Sequence, residues 1–137
     1  MGTRSTTKFI RKRGKKLEPL VNIYQQYDGY IDGGVGHEIA DFILSKKIIN
    51  GIGLGQNTEE YANGFECLIA QFIKKYKTRV GGLYITSMDD VEEYNYEVIC
   101  DDNNEITIKV TNWNNALIFS GTPTELLAYK ENFDEEE

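Results

Sequence analysis

Histidine, cysteine and long apolar runs are all scarce in this chain, and each scarcity closes a line of interpretation. There is one histidine, His37, and there are two cysteines, Cys67 and Cys100. Zinc sites draw on several His or Cys ligands. Two cysteines on different predicted elements, with no paired motif, supply neither such a site nor a disulfide framework. Reduced, buried thiols acting as small hydrophobes are expected instead. No apolar run approaches the roughly 18 residues that cross a bilayer. The N-terminus is polar and basic with no apolar segment behind it, which argues against a secretory signal and for a cytoplasmic protein. There is no phosphate-binding P-loop motif, no serine in a nucleophile elbow, no internal repeat and no linker. The 137 residues therefore read as one domain, 1–137, with enough chain for a hydrophobic core.

Acid is also missing from one end. Residues 1–16 hold seven basic side chains (Arg4, Lys8, Arg11, Lys12, Arg13, Lys15, Lys16) and no carboxylate. The net charge is −7, so the rest of the chain carries eight basic residues against 22 acidic ones, a balance of −14. Such asymmetry can mark a nucleic-acid arm. An acidic body repels a phosphate backbone, however, so the basic cluster reads as a solvated hairpin tip.

Residues 3–12 alternate and include Thr6, Thr7, Phe9 and Ile10, which predicts a strand. Arg13-Gly14-Lys15-Lys16 is a turn, and Leu20–Tyr24 returns, giving a basic β-hairpin over 1–26. A glycine-rich loop follows over 27–36, then two helices over 35–79. The first spans about Val35 to Lys47, with Ile39, Ala40, Phe42 and Ile43 as its apolar face and Lys46 and Lys47 in its last turn. Gly51-Ile52-Gly53-Leu54-Gly55 resembles a dinucleotide loop superficially, but it follows a helix rather than a strand. The second helix takes Asn57 as cap and Glu60 as partner. It buries Tyr61, Ala62, Phe65, Leu68, Ile69, Phe72, Ile73 and Tyr76, and Gly81-Gly82 stops it. Strands over 82–120 read as a β-meander. Thr122-Pro123-Thr124-Glu125 opens a helix over 122–133 that packs through Leu126, Leu127 and Tyr129, ahead of the acidic tail Asp134–Glu137. The fold class expected is α+β: an antiparallel sheet, from the hairpin and the meander, covered on one face by two or three helices.

The densest stretch for chemistry is Tyr27-Asp28-Gly29-Tyr30-Ile31-Asp32-Gly33-Gly34-Val35-Gly36-His37-Glu38. Its glycines let a ligand approach the main chain, and it ends at a helix N-terminus that suits an anion. The ligand-binding set read from it is Tyr27, Asp28, Gly29, Tyr30, Gly33, Gly34, Gly36 and His37, joined by Arg4 if its strand pairs beside the loop. Gly34→Val is expected to abolish binding and leave the fold. Asp28, Asp32 and Glu38 lack the spacing of a calcium loop. No metal, cofactor or catalytic residue is assigned, and the chain reads as more binder than enzyme.

Met1-Gly2-Thr3-Arg4-Ser5, then Ile23-Tyr24-Gln25-Gln26-Tyr27-Asp28-Gly29-Tyr30 and a glycine-rich link into Ala40-Asp41-Phe42, resembles a family of short proteins of uncharacterised function from bacteriophages and large DNA viruses. Asn50-Gly51, Ala62-Asn63-Gly64 and Gly81-Gly82-Leu83-Tyr84-Ile85 are similar to it too, so the resemblance covers nearly the whole chain. It implies a viral origin and a place in the cytoplasm of an infected host cell. The function expected is capture of a small phosphorylated ligand, such as a nucleotide signal of host defence. The alternatives are a protein-interaction module that inhibits a host protein and a small hydrolase using His37 with Asp28 or Asp32. Nucleic acid and membrane are not expected partners.

Nine tyrosines and antiparallel edges favour association about a two-fold axis, so a homodimer or higher oligomer is expected. Light scattering at micromolar concentration should give at least twice 15.7 kDa; the monomer mass would remove the expectation.

Overall fold

Alternation in the first strand sets the centre of the molecule. The computed structural model describes residues 2–51 and 59–131. In chain order the elements are β1 (Ser5–Arg13), β2 (Lys16–Gln25), α1 (Val35–Leu44), β3 (Lys47–Ile49), β4 (Tyr61–Asn63), α2 (Phe65–Tyr76), β5 (Leu83–Thr86), β6 (Tyr94–Cys100), β7 (Ile106–Asn112), β8 (Leu117–Gly121) and α3 (Pro123–Leu127). The fold is α+β. Six strands form one sheet in the order β5-β2-β1-β6-β7-β8, and β3 and β4 form a separate parallel pair.

On one face of β1 lie Ser5, Thr7, Phe9 and Arg11, since successive side chains point to opposite faces. The Phe9 ring meets Phe65 at 6.1 Å and Phe72 at 5.7 Å between centroids. Phe72 in turn meets Phe42 at 5.3 Å and Tyr76 at 4.7 Å. These rings join the central strand to both long helices. Ile23, Tyr96, Val98, Ile108 and Val110 complete the same buried face. Truncating a ring as enclosed as Phe9 costs about 3–5 kcal/mol.

The sheet is antiparallel except at its middle, where β1 and β6 run parallel. β5 is not part of the meander: it pairs with β2 at the far edge. The chain therefore crosses β2 and β1 between Thr86 and Tyr94, on the face away from Phe9. A crossing coil brings backbone groups that need partners, and this explains a buried polar row there. Asn22 donates through Nδ2 to the Ser87 carbonyl at 2.8 Å. Thr6 Oγ1 donates to Asn95 Oδ1 at 2.6 Å, and Asn95 Nδ2 donates to the Glu92 carbonyl at 2.8 Å.

Several expected boundaries move. α1 ends at Leu44, so Lys46 and Lys47 lie beyond it and Lys47–Ile49 is strand. Tyr61 and Ala62 belong to β4, because Lys47 N–H donates to the Glu60 carbonyl at 2.8 Å and draws the segment alongside β3. α2 begins at Phe65, after Gly64 at φ +88°; Asn57, its expected cap, lies outside the described residues, as do residues 52–55 of the second glycine loop and the acidic tail. α2 stops at Tyr76, five residues before Gly81. α3 has the capping box expected at Thr122 and Glu125 but is five residues long, and Leu127 is exposed. Cys100 is buried, whereas Cys67 is only half-buried. The basic hairpin tip is as expected, with Gly14 at φ +59°. Arg11 ties it to α2 through Glu66 at 2.6 Å and Arg13 pairs with Glu18 at 3.1 Å. Among the described residues no helix is long and apolar enough to cross a membrane.

The glycines of the 27–36 loop have a packing role that overturns one expectation. A Cβ on Gly34 would lie 2.4 Å from the Asp28 carbonyl oxygen and 2.5 Å from that of Tyr30; on Gly36 it would lie 2.7 Å from Ile31 Cα. The close approach is to the chain's own backbone. Gly34→Val should therefore destabilise the fold by on the order of 3 kcal/mol, lowering the melting temperature by roughly 10 °C. A calorimetric scan with Gly34→Val melting beside the wild type would contradict this.

Candidate functional site

Two different sides of the loop carry polar side chains. The first is a cleft of about 160 Å³ between the loop and the bend that follows α2. β2 ends at Gln25, which forms its floor. The bend is brought in by Gln26 N–H, which donates to the Gly82 carbonyl at 2.9 Å. Lys77 Nζ then donates to the carbonyls of Gly81 at 3.1 Å and Leu83 at 2.8 Å, folding the bend back on the helix end. Gly81 at φ +84° and Gly82 at φ +80° make this reversal, in a region that favours glycine.

This geometry sets Arg79 above Tyr27, with Cζ 5.1 Å from the ring centroid, a cation–π arrangement that leaves the guanidinium edge open. Tyr27 is 49% exposed. Asp28 beside it holds φ +59°, uncommon for a non-glycine residue though Asp tolerates it. The conformation is fixed by Val35 N–H, which donates to the Asp28 carbonyl at 2.7 Å. Tyr30 donates its hydroxyl to Asp28 Oδ1 at 3.0 Å, and that bond, with the Asp28 charge, raises the Tyr30 pKa.

Glu38 faces the same cleft from the first turn of α1. Partial burial, then the Asp28 charge, hold its pKa above the ordinary carboxyl value, against a smaller lowering by Lys75. Tyr76 is pushed up to about 12, by burial and then by Glu38 and Asp41. On the floor, Gln25 is 8% exposed and its Oε1 has no hydrogen-bond partner. A buried acceptor left unmade costs about 1–3 kcal/mol.

The second side of the loop faces the segment after α3. Ile31 N–H and Asp32 N–H both donate to Glu131 Oε1 at 2.9 Å, and the Tyr94 hydroxyl donates to Glu131 Oε2 at 2.8 Å. Burial and this carboxylate raise the Tyr94 pKa. His37 takes Gly33 N–H on Nδ1 at 3.2 Å and lies 2.9 Å from the Tyr129 carbonyl through Nε2. That pair of contacts fits the neutral tautomer with its proton on Nε2. Its Nδ1 also stands 3.7 Å from Asp32 Oδ1.

The expected site residues are thus divided. Tyr27 and Asp28 share the cleft. His37 is on the other side, both ring nitrogens occupied by backbone, and Asp32 is there with it. Gly29 is packed on β1: it donates to the Thr3 carbonyl at 2.9 Å, accepts from the Tyr96 hydroxyl at 2.6 Å, and a Cβ on it would sit 2.8 Å from Ser5 Cβ. Gly34 and Gly36 are enclosed as described, and Gly33 at φ +78° makes the turn. Arg4 pairs beside the loop through its backbone, but it lines another hollow with Gly2, Glu92, Glu93 and Trp113. Asp28, Asp32 and Glu38 do not gather, and among the described residues no three His, Cys, Asp or Glu side chains are placed to hold a metal. Gln25, Arg79 and Tyr76 were not singled out in the sequence as site residues. The Gly81-Gly82 pair behind a basic run was the available signal for the bend; nothing local marked Glu131.

No family model matches the chain, and no curated protein and no solved structure matches it.

Because its pKa is raised on folding, Glu38 favours the fold most where it is protonated. That contribution is present below its ordinary value of 4.5 and is lost as pH rises through the higher folded value. Glu38→Gln should therefore be more stable than wild type at neutral pH, by less than about 1 kcal/mol given solvent screening, with the advantage vanishing below that value. Denaturant midpoints at neutral and acid pH check the sign; equal midpoints at neutral pH would contradict it.

Proposed function

We propose that the chain is a binding protein for a small phosphorylated ligand, a nucleotide in class, taken up in the cleft floored by Gln25. The observation that carries this reading is the Gln25 carboxamide oxygen, buried without a hydrogen-bond partner on a residue that lines the cleft. It calls for an N–H or O–H donor. Asp28 and Glu38 add two further acceptors at the rim, which suits the amino and imino groups of a base. The exposed ring of Tyr27 offers a stacking surface. Arg79, which has no ion pair among the described residues, offers its fork to a phosphate. In the viral setting that the resemblance implies, such a ligand is a nucleotide signal of host defence, held intact rather than turned over. His37, engaged by backbone on both nitrogens, gives the hydrolase reading little support.

A second reading has its own observation. Val80 is fully exposed, and Tyr84 and Ile85 of β5 are at least half exposed at the free edge of the sheet. Such an edge suits a protein partner.

The test is incubation with a panel of nucleotides, followed by recovery of bound material after denaturation. Intact nucleotide is the expected result. Altered nucleotide would mean an enzyme, and no retention would leave the protein-partner reading. Gln25→Met is the sharper arm. Removing an unmade acceptor while keeping its volume should hold or raise stability, yet weaken nucleotide binding about tenfold. Arg79→Ala should weaken it by at least as much. Unchanged affinity in both variants would place binding outside this cleft.

A further inference from the structure

The amides of Ile31 and Asp32 do receive an anion, and it is the chain's own. Their shared acceptor, Glu131 Oε1, and the Tyr94 hydroxyl on Oε2 enclose one carboxylate with three donors. Two successive backbone N–H groups aimed at one point form an anion-receptive concavity. A hydroxyl from the sheet then closes the third side. The segment that brings the carboxylate is the end of the described chain and is held at few further points. Glu131 N–H donates to Asp32 Oδ2 at 3.3 Å, His37 Nε2 meets the Tyr129 carbonyl, and the Tyr129 ring meets Phe119 edge-on at 5.5 Å. Ala128 N–H and Tyr129 N–H bond back to the Thr124 and Leu126 carbonyls of α3, whereas no strand pairing fixes residues 130–131, so the end of the segment can lift while α3 stays in place.

We propose that Ile31 N–H, Asp32 N–H and Tyr94 Oη form a carboxylate-binding site, closed by Glu131 as an internal occupant and open to an outside carboxylate when the 130–131 strap lifts. Its donors are different from the groups of the Gln25 cleft, and it does not rest on that reading. The class is a carboxylate rather than a phosphate dianion. The Asp32 side chain belongs to the same cluster, and each extra negative charge on a ligand meets it. Two amides and one hydroxyl also match the two oxygens of a carboxylate, as Glu131 itself occupies them.

The test follows the Ile31 and Asp32 amide resonances of the full chain by ¹⁵N NMR as acetate or inorganic phosphate is added. In wild type neither probe should move them, because Glu131 is in place. In Glu131→Ala, acetate should move both along a saturable curve, and phosphate should bind at least about tenfold more weakly. Adding Tyr94→Phe should weaken acetate about tenfold, through loss of one charge-assisted bond. Glu131→Gln keeps an oxygen for the two amides but no charge, so acetate should displace it at higher concentration than it needs in Glu131→Ala. Absence of saturable movement in both Glu131 variants overturns the site, and so does loss of the fold in both, since the strap would then be structural. If only Glu131→Ala unfolds, Glu131→Gln decides alone. Phosphate binding as tightly as acetate overturns the assignment of class.

Discussion

The Phe9 ring, enclosed between Phe65 and Phe72, is the contact on which the rest of the arrangement depends. It sits in the middle of β1, and β1 is the middle of the sheet. Through Phe72 and Phe42 it joins both long helices to that strand. Because β1 pairs with β2 on one side and β6 on the other, the first residues of the chain connect its two halves. The pairing with β6 is parallel, and a parallel neighbour cannot be reached by a tight turn. A chain crossing is required, and the coil over 87–93 supplies it. Thr6, Asn22 and Asn95 are the buried polar cost of that route: Thr6 and Asn95 bond each other, and Asn22 bonds the coil through Nδ2 while its Oδ1 has no partner.

Compression at the N-terminal end of β1 shapes the loop. Ser5 and Thr7 are small and fully buried, so the loop can lie directly on the sheet. Gly29 then approaches β1 more closely than any side chain allows, while Tyr96 reaches up from β6 to its carbonyl. With the loop pinned there, Gly34 and Gly36 fold it over its own carbonyls before α1 begins. Its backbone N–H groups from Ile31 to Gly36, with that of Gly29, are consequently used within the chain: by carbonyls, by His37 and by the Glu131 carboxylate. The glycines make the loop dense rather than open.

How far the sequence discloses this depends on the range of each signal. The basic hairpin, the start of α1, the β6-β7-β8 meander and the Thr122 capping box each rest on residues within a few positions of one another, and all are present. β3 and β4 have three residues each, too few for a period to show, and β4 was absorbed into the helix pattern behind it. β5 alternates like its neighbours, so its place at the opposite edge depends on pairing with β2, which no local feature encodes. The glycine stretch was legible as a special backbone. Its purpose was not, because the atoms that crowd Gly29 belong to Arg4 and Ser5, and the carboxylate that fills the amides comes from Glu131, about a hundred residues on. The Arg4 backbone lies against Gly29, while its side chain lines a different hollow from the cleft beside Tyr27.

With most of the loop's amides bonded within the chain, the groups that line the cleft are side chains. Its rim has two carboxylates, Asp28 and Glu38, and one cation without an ion pair among the described residues, Arg79. A simple anion would meet more repulsion than attraction there. A molecule that carries several N–H donors at one end and an anion at the other meets an acceptor at Gln25, a further two at the rim, and a guanidinium on the far side. Partial burial and the neighbouring Asp28 charge raise the Glu38 pKa, so the two carboxyl groups at this rim act on one another. The strain at Asp28, a non-glycine residue at positive φ, keeps its carboxylate at the rim beside the Tyr27 ring. The exposed Tyr27 ring and the Asp28 carboxylate are thus set by one backbone turn, and that turn is held by the hydrogen bond from Val35 N–H at the start of α1.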